Sequence, residues 1–200
     1  MYTEFDAIIF DMDGTLVDSG QLHEIAWRET LTQFQIPIAP PLMRSLAGVP
    51  TIETLAILKS HFKVETVLSN EQINDYKEAR VKALMADFVK PTSLIEFAKK
   101  NYGIRPMAVG TGAYTAEAVE ILTLCGLIDL VDHVVGADQV GAPKPAPDTF
   151  LRCAELMGVS PESCVVFEDA KTGMQAAEAA GMAVVDVLVE LGIENDYFRT

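Results

Sequence analysis

Apolar runs punctuate the chain at its start and again through its second half, and the stretches between them change period. AIIF at residues 7–10, MAVG at 107–110, HVVG at 133–136, CVVF at 164–167 and AVVDV at 183–187 are almost free of polar side chains. Runs this continuous suit strands covered on both faces, as in a parallel sheet, because a half-exposed strand alternates. Between the later runs, apolar positions recur at helical spacing in AYTAEAVEILTLCG, DTFLRCAELMG and TGMQAAEAAG, each closing on a glycine, Gly126, Gly158 and Gly181. Glycine there supplies the left-handed turn that ends a helix. Strand alternating with helix predicts a doubly wound, Rossmann-like α/β core with a parallel sheet.

Residues 11–106 separate the first run from the second, far more than one crossover needs. Within them QLHEIAWRETLTQF (21–34) sets His23, Trp27, Leu31 and Phe34 at helical spacings, and TIETLAILKSHF (51–62) follows a GVP turn. NEQINDYKEARVKALMADF (70–88) is introduced by Ser69 with Gln72 three residues on, a capping box. The expectation is an inserted all-helical cap over residues 18–85, with 1–17 and 86–200 forming the α/β core.

Composition narrows the partners. The 200 residues carry 29 acidic and 15 basic side chains, a formal charge of −14. That excludes a broad positive surface for nucleic acid or an anionic membrane, so any anionic ligand must meet a local positive field. Cys125, Cys153 and Cys164 are odd in number and lack paired short spacings, which argues against a disulfide framework or a zinc site. MYTEF at the N-terminus has no basic stretch, and no apolar run approaches the ~20 residues of a membrane span. A soluble, cytoplasmic, monomeric protein is expected.

In an open parallel sheet, ligands bind at the carboxyl ends of the strands. Asp11 and Asp13 follow the first run, Thr111 sits between Gly110 and Gly112 after the second, Asp138 and a loop holding Lys144 between two prolines follow the third, and Glu168 and Asp169 close the fourth. These groups suit phosphoryl transfer. A carboxylate that attacks phosphorus must approach another anion, so cations have to offset the repulsion. Asp11, Glu168 and Asp169 offer the oxygen ligands a hard ion such as Mg2+ takes. Lys144 adds a point charge, Thr111 a hydroxyl, and the glycines close backbone approach to a phosphate. Asp11 is read as the nucleophile. Asp13, two residues on in a turn opened by Gly14, is read as the general acid for the leaving oxygen and then the base for water. The ion and Lys144 are expected to keep Asp11 ionised.

DMDGT at 11–15, Thr111 in VGTG, Lys144 in KPAPD and the acidic pair in FEDA resemble, in order and spacing, the four motifs of the haloacid dehalogenase superfamily. A helical cap between the first two resembles its beta-phosphoglucomutase-like subgroup. PMAVGTG, KPAPDTFLRCAELMGV and CVVFEDAKTGMQAAEAAGM further resemble bacterial fructose-1-phosphate phosphatases. The resemblance implies an aspartyl-phosphate intermediate on Asp11, acid–base work by Asp13, and Mg2+ bound by Asp11, the backbone carbonyl of Asp13, Glu168 and Asp169. It also suggests that His23 and Trp27 line the substrate pocket, the alternative being packing on neighbouring helices; Gly48 in AGVPT is read either as the turn that lets the cap approach substrate or as a plain helix connector.

The function expected is a Mg2+-dependent phosphatase of a small phosphorylated sugar, with fructose 1-phosphate favoured. The alternative is a phosphosugar mutase. Beta-phosphoglucomutases carry an Arg after the equivalent GV turn, where this chain has Thr51 and Ile52, although Lys77 and Arg80 are available in its place. A phosphorylatable receiver domain also gathers Asp, Thr and Lys at strand ends, but receivers are shorter and have no cap.

Overall fold

The computed structural model describes residues 2–199. Strands β1 (Ala7–Phe10) and β2 (Val17–Asp18) lead into helices α1 (Gly20–Gln33), α2 (Pro40–Ser45), α3 (Thr51–Phe62) and α4 (Asn70–Phe88). The chain returns through β3 (Lys90–Pro91), α5 (Leu94–Asn101), β4 (Met107–Gly110), α6 (Thr115–Leu124), β5 (His133–Val135) and α7 (Asp148–Met157). It closes with β6 (Cys164–Glu168), α8 (Lys171–Ala179), β7 (Ala183–Asp186) and α9 (Val187–Leu191). Two compact units result, one of residues up to Asp18 and from Val89 to Asn195, the other of Ser19–Phe88 together with the chain from Asp196 onward.

The first unit is built on a five-stranded sheet in the order β5-β4-β1-β6-β7, with β1 parallel to both neighbours. β4 pairs parallel with β5 and β6 with β7. All of Ala7–Phe10 is buried, and alternate residues serve opposite faces. Ala7 and Ile9 join Ala108, Cys164 and Val166 beneath Phe150 of α7 and Ala176 of α8. On the other side Phe10 and Phe167 meet Phe97 of α5, at centroid separations of 6.4 and 5.2 Å. This two-sided cover is why the runs read as uninterrupted.

Three local features depart from the sequence reading. AVVDV is not strand to its end: the Asp186 carboxylate accepts the N–H groups of Leu188 and Val189, each at 3.0 Å, so the helix α9 begins at Val187. LIEFAKKN, to which no element was assigned, forms α5 and supplies Phe97. The chain leaving β1 and the chain entering α5 form a short antiparallel pair, Val17 with Pro91 and Asp18 with Lys90, which two residues each are too few to announce.

The helical unit packs around Trp27, Leu31, Met43, Leu55, Leu58 and Ile73. Its α4 begins with the expected capping box: Ser69 N–H donates to Gln72 Oε1 at 3.0 Å, and Gln72 N–H to Ser69 Oγ at 3.3 Å. The C-terminal residues were assigned to the sheet core, yet those from Asp196 group with the helices. The reason is Phe198, fully buried in this cluster, with its N–H donating to Glu24 Oε2 at 2.7 Å.

Candidate active site

The β1 run ends at the sheet's carboxyl edge and turns at once. Leu16 N–H donates to the Asp11 carbonyl at 3.3 Å, Val17 N–H to Met12 at 2.9 Å, and Gly14 N–H to Val17 at 2.8 Å, closing a tight loop around Asp13. Gly14 holds φ +83° and has no room for a side chain: a Cβ there would overlap both the Asp169 carboxylate and the Asn195 amide. The Gly after the second aspartate is therefore required twice, by its backbone angle and by what lies against it.

Asp11, Glu168 and Asp169 each bring a carboxylate oxygen within 4.8 Å of the others. Lys144 Nζ donates to Asp11 Oδ1 at 2.6 Å and to Glu168 Oε2 at 2.8 Å, and lies 4.6 Å from the Phe150 ring centroid. The other oxygen of Glu168, Oε1, accepts the N–H groups of Asp169 at 3.1 Å and Ala170 at 2.9 Å. Glu168 is thus a junction between the lysine and its own loop, made possible by Gly173 in α8, where any Cβ would collide with the carboxylate. Lys144, read as a cation for phosphate, is committed to two carboxylates.

Electrostatics follow from this count. Burial disfavours the ammonium of Lys144, but Asp11 and Glu168 more than offset that and hold its pKa above the ordinary lysine value. For Asp11, burial and the neighbouring Glu168 outweigh Lys144 and push the carboxyl up to about 7. Asp169 is likewise pushed up to about 7 by burial and by Asp11, and burial raises Glu168. Lys144 lowers the proton affinity of Asp11 without offsetting burial and Glu168, because its single charge is shared, which leaves the rest of that task to the ion expected beside it. Three carboxylates face one ammonium, which leaves two negative charges for a dication to balance. The donors are all hard oxygens of the kind Mg2+ takes, so the residues present fit such an ion.

Thr111 follows β4, the neighbour of β1, at the same edge, with its N–H donating to Val135 at 3.0 Å and its Oγ1 accepting Ala113 N–H at 3.1 Å. Gly112 is exposed beside it. Asp138 is absorbed by structure: its Oδ1 accepts the N–H and Oγ1–H of Thr115, each at 2.7 Å, and those bonds hold its pKa below the usual range. Asp13 lies within electrostatic reach of Asp11 and Asp169, while its side chain stays outside the three-carboxylate cluster.

The remaining sequence candidates belong to the helical unit. His23 is half-buried on α1. Trp27 is buried among the helices, with Lys77 Nζ over its ring at 5.4 Å. Gly48 takes φ +78° in the connector between α2 and α3. Lys77 is also buried and pairs with Glu78 at 3.5 Å, and Arg80 pairs with Glu29 at 2.5 Å. Asn195, whose Nδ2 donates to Asp169 Oδ2 at 2.8 Å, escaped the sequence reading, since an asparagine near a chain end carries no motif.

A parallel sheet with an acidic first loop, a shared lysine and an acidic pair defines a class. The model for haloacid dehalogenase-like hydrolases matches residues 5–181, and the chain belongs to this family. It is 44% identical over 188 residues to fructose-1-phosphate phosphatase YqaB of Escherichia coli K12, covering 94% of this chain and 98% of that one. It is 34% identical over 179 residues to a phosphorylated carbohydrates phosphatase of Thermotoga maritima, covering 88% and 82%. The crystal structure of beta-phosphoglucomutase from Clostridium difficile has the same fold, with a TM-score of 0.80 over 98% of this chain and 93% of that one at 24% identity.

Proposed function

We propose that this chain is a Mg2+-dependent phosphatase of small phosphorylated sugars, with fructose 1-phosphate the favoured substrate. The observation that carries the reading is the cluster of Asp11, Glu168 and Asp169, with Lys144 paired to the first two. It is an anionic site with an unmet demand for a dication, at the edge where α/β sheets bind ligands. The similarity to YqaB, named as a fructose-1-phosphate phosphatase, supports the choice of sugar.

The chemistry divides between two aspartates. Asp11 attacks phosphorus, forming an acyl phosphate as the bond from phosphorus to the sugar oxygen breaks, and Asp13 gives its proton to that oxygen. Water then attacks the phosphorus, Asp13 takes the proton, the acyl-phosphate bond breaks, and Asp11 is restored with inorganic phosphate released. Lys144, 2.6 Å from Asp11 Oδ1, orients the nucleophile and lowers its proton affinity. Asp11, the Asp13 carbonyl, Glu168 and Asp169 are the groups that hold Mg2+, which when bound neutralises charge on carboxylate and phosphate together. Thr111 and Gly112 receive a phosphate oxygen, His23 and Gly48 bear on the choice of sugar, and Trp27, buried among the helices, supports that choice from the core of its unit. Three free, buried thiols suit a reducing compartment, and we read the enzyme as cytoplasmic and monomeric.

Phosphate release from a panel containing fructose 1-phosphate, fructose 6-phosphate and beta-glucose 1-phosphate tests this. Turnover of fructose 1-phosphate should lead and should vanish with EDTA. No metal-dependent release from any member refutes the reading, and conversion of beta-glucose 1-phosphate to the 6-phosphate faster than release replaces it with a mutase.

A further inference from the structure

The acidic cluster has a partner that lies outside residues 5–181 matched by the family model. Asn195 Nδ2 donates to Asp169 Oδ2 at 2.8 Å, and the same amide and carboxylate lie against the bare face of Gly14. Three segments far apart in sequence close on one point: the loop after β1, the loop after β6 and the C-terminal stretch.

No regular element carries Asn195, since α9 ends at Leu191. Its place is held by the residues just before it: Ile193 is buried and its N–H donates to Val187 at 3.0 Å.

We propose that Asn195 is a positioning residue for Asp169. The torsion of a carboxylate about its last bond is broad, so an unsupported Asp169 has no fixed oxygen to offer. With Oδ2 tied to the amide, the plane is set and the other oxygen is left for the cluster. An amide suits the task because it donates without charge. A lysine at 195 would compete as a cation for the same carboxylate, and an aspartate would add a further negative charge to a site already in excess. Partners that orient metal-ligating carboxylates typically govern affinity by 10–100-fold.

The proposal rests on the reading of Asp169 as a metal ligand, and the test separates the two. Calorimetric titration of Mg2+ alone into the protein is compared for the natural chain, Asn195→Leu and Asp169→Asn, alongside melting of each without metal. Asp169→Asn should remove measurable binding. Asn195→Leu should weaken it on the order of tenfold, raise the Mg2+ concentration for half-maximal turnover by the same factor, and change metal-free melting little. A merely structural asparagine would lower melting and leave Mg2+ affinity alone. If Asp169→Asn abolishes binding while Asn195→Leu leaves affinity unchanged, the proposal is overturned and the metal reading stands. If Asp169→Asn binds as the natural chain does, both fall.

Discussion

Ion pairs in the two units of this chain obey different rules. Lys144 lies between Asp11 and Glu168 with at most 10% of any of the three side chains exposed. In the helical unit, Arg28 with Glu24 at 2.7 Å and Arg80 with Glu29 at 2.5 Å leave between 17% and 39% of each side chain in water. The distances are alike and the consequences are not. An exposed pair exchanges water for a partner and is worth roughly 0–1 kcal/mol, whereas removing one member of a buried pair costs about 3–5 kcal/mol because a charge is left uncompensated. The buried site is also unbalanced, with more carboxylates than cations. A fold that only needed stability would gain by replacing such a group with apolar side chains, so its retention marks the sheet edge as the place where chemistry is done.

The comparison can be broken most directly at its centre. Asp11→Asn removes the nucleophile and should abolish phosphate release, a loss of at least ~1,000-fold against fructose 1-phosphate. The same change takes a charge out of an over-acidic cluster, so metal-free melting at pH 8 should stay level or rise; activity equal to the natural chain refutes the assignment of Asp11. Next, Lys144→Met should cost about 3–5 kcal/mol in urea unfolding by stranding Asp11 and Glu168, while Arg80→Met should cost less than ~1 kcal/mol. Equal costs would erase the distinction between the two regions.

A smaller effect concerns pH. Asp11 and Asp169, both pushed up to about 7, hold protons in the metal-free fold that the unfolded chain has already released above its ordinary carboxyl pKa of about 4. Folded protein therefore binds more protons than unfolded between these values, and their contribution to stability is present at low pH and lost as pH rises to about 7. Mg2+ requires the deprotonated groups, so the rise in melting temperature on adding Mg2+ should be small at pH 5 and largest above pH 7. A Mg2+ shift independent of pH over that range contradicts the raised carboxyl values.

Much of the sheet edge was legible because its signals are local. AIIF ends where Asp11 begins, and a buried strand followed by Asp, Asp and Gly states both the element and the direction in which its carboxylates leave. Lys144, flanked by prolines, and Glu168 with Asp169 after CVVF are legible in the same way. The use made of Lys144 was not, because its choice of two carboxylates depends on which strands are neighbours. Nor was α5 visible, whose eight residues are too few for a strong periodic signal. Trp27 kept both readings in the sequence, since helical spacing names a face without saying what covers it.

What the sequence by itself determined is therefore the five strands of the main sheet, the longer helices, the inserted helical stretch and the residues that follow each strand, all of which depend on neighbours within a turn or two. Only the tertiary structure decided the order β5-β4-β1-β6-β7, the sharing of one ammonium by two acids, and the C-terminal anchor, where Phe198 N–H meets Glu24 across 174 positions of chain. Local rules are written in spacing and composition. Contacts of that reach are chosen by burial and charge compensation across the whole molecule, and no window of residues contains both partners.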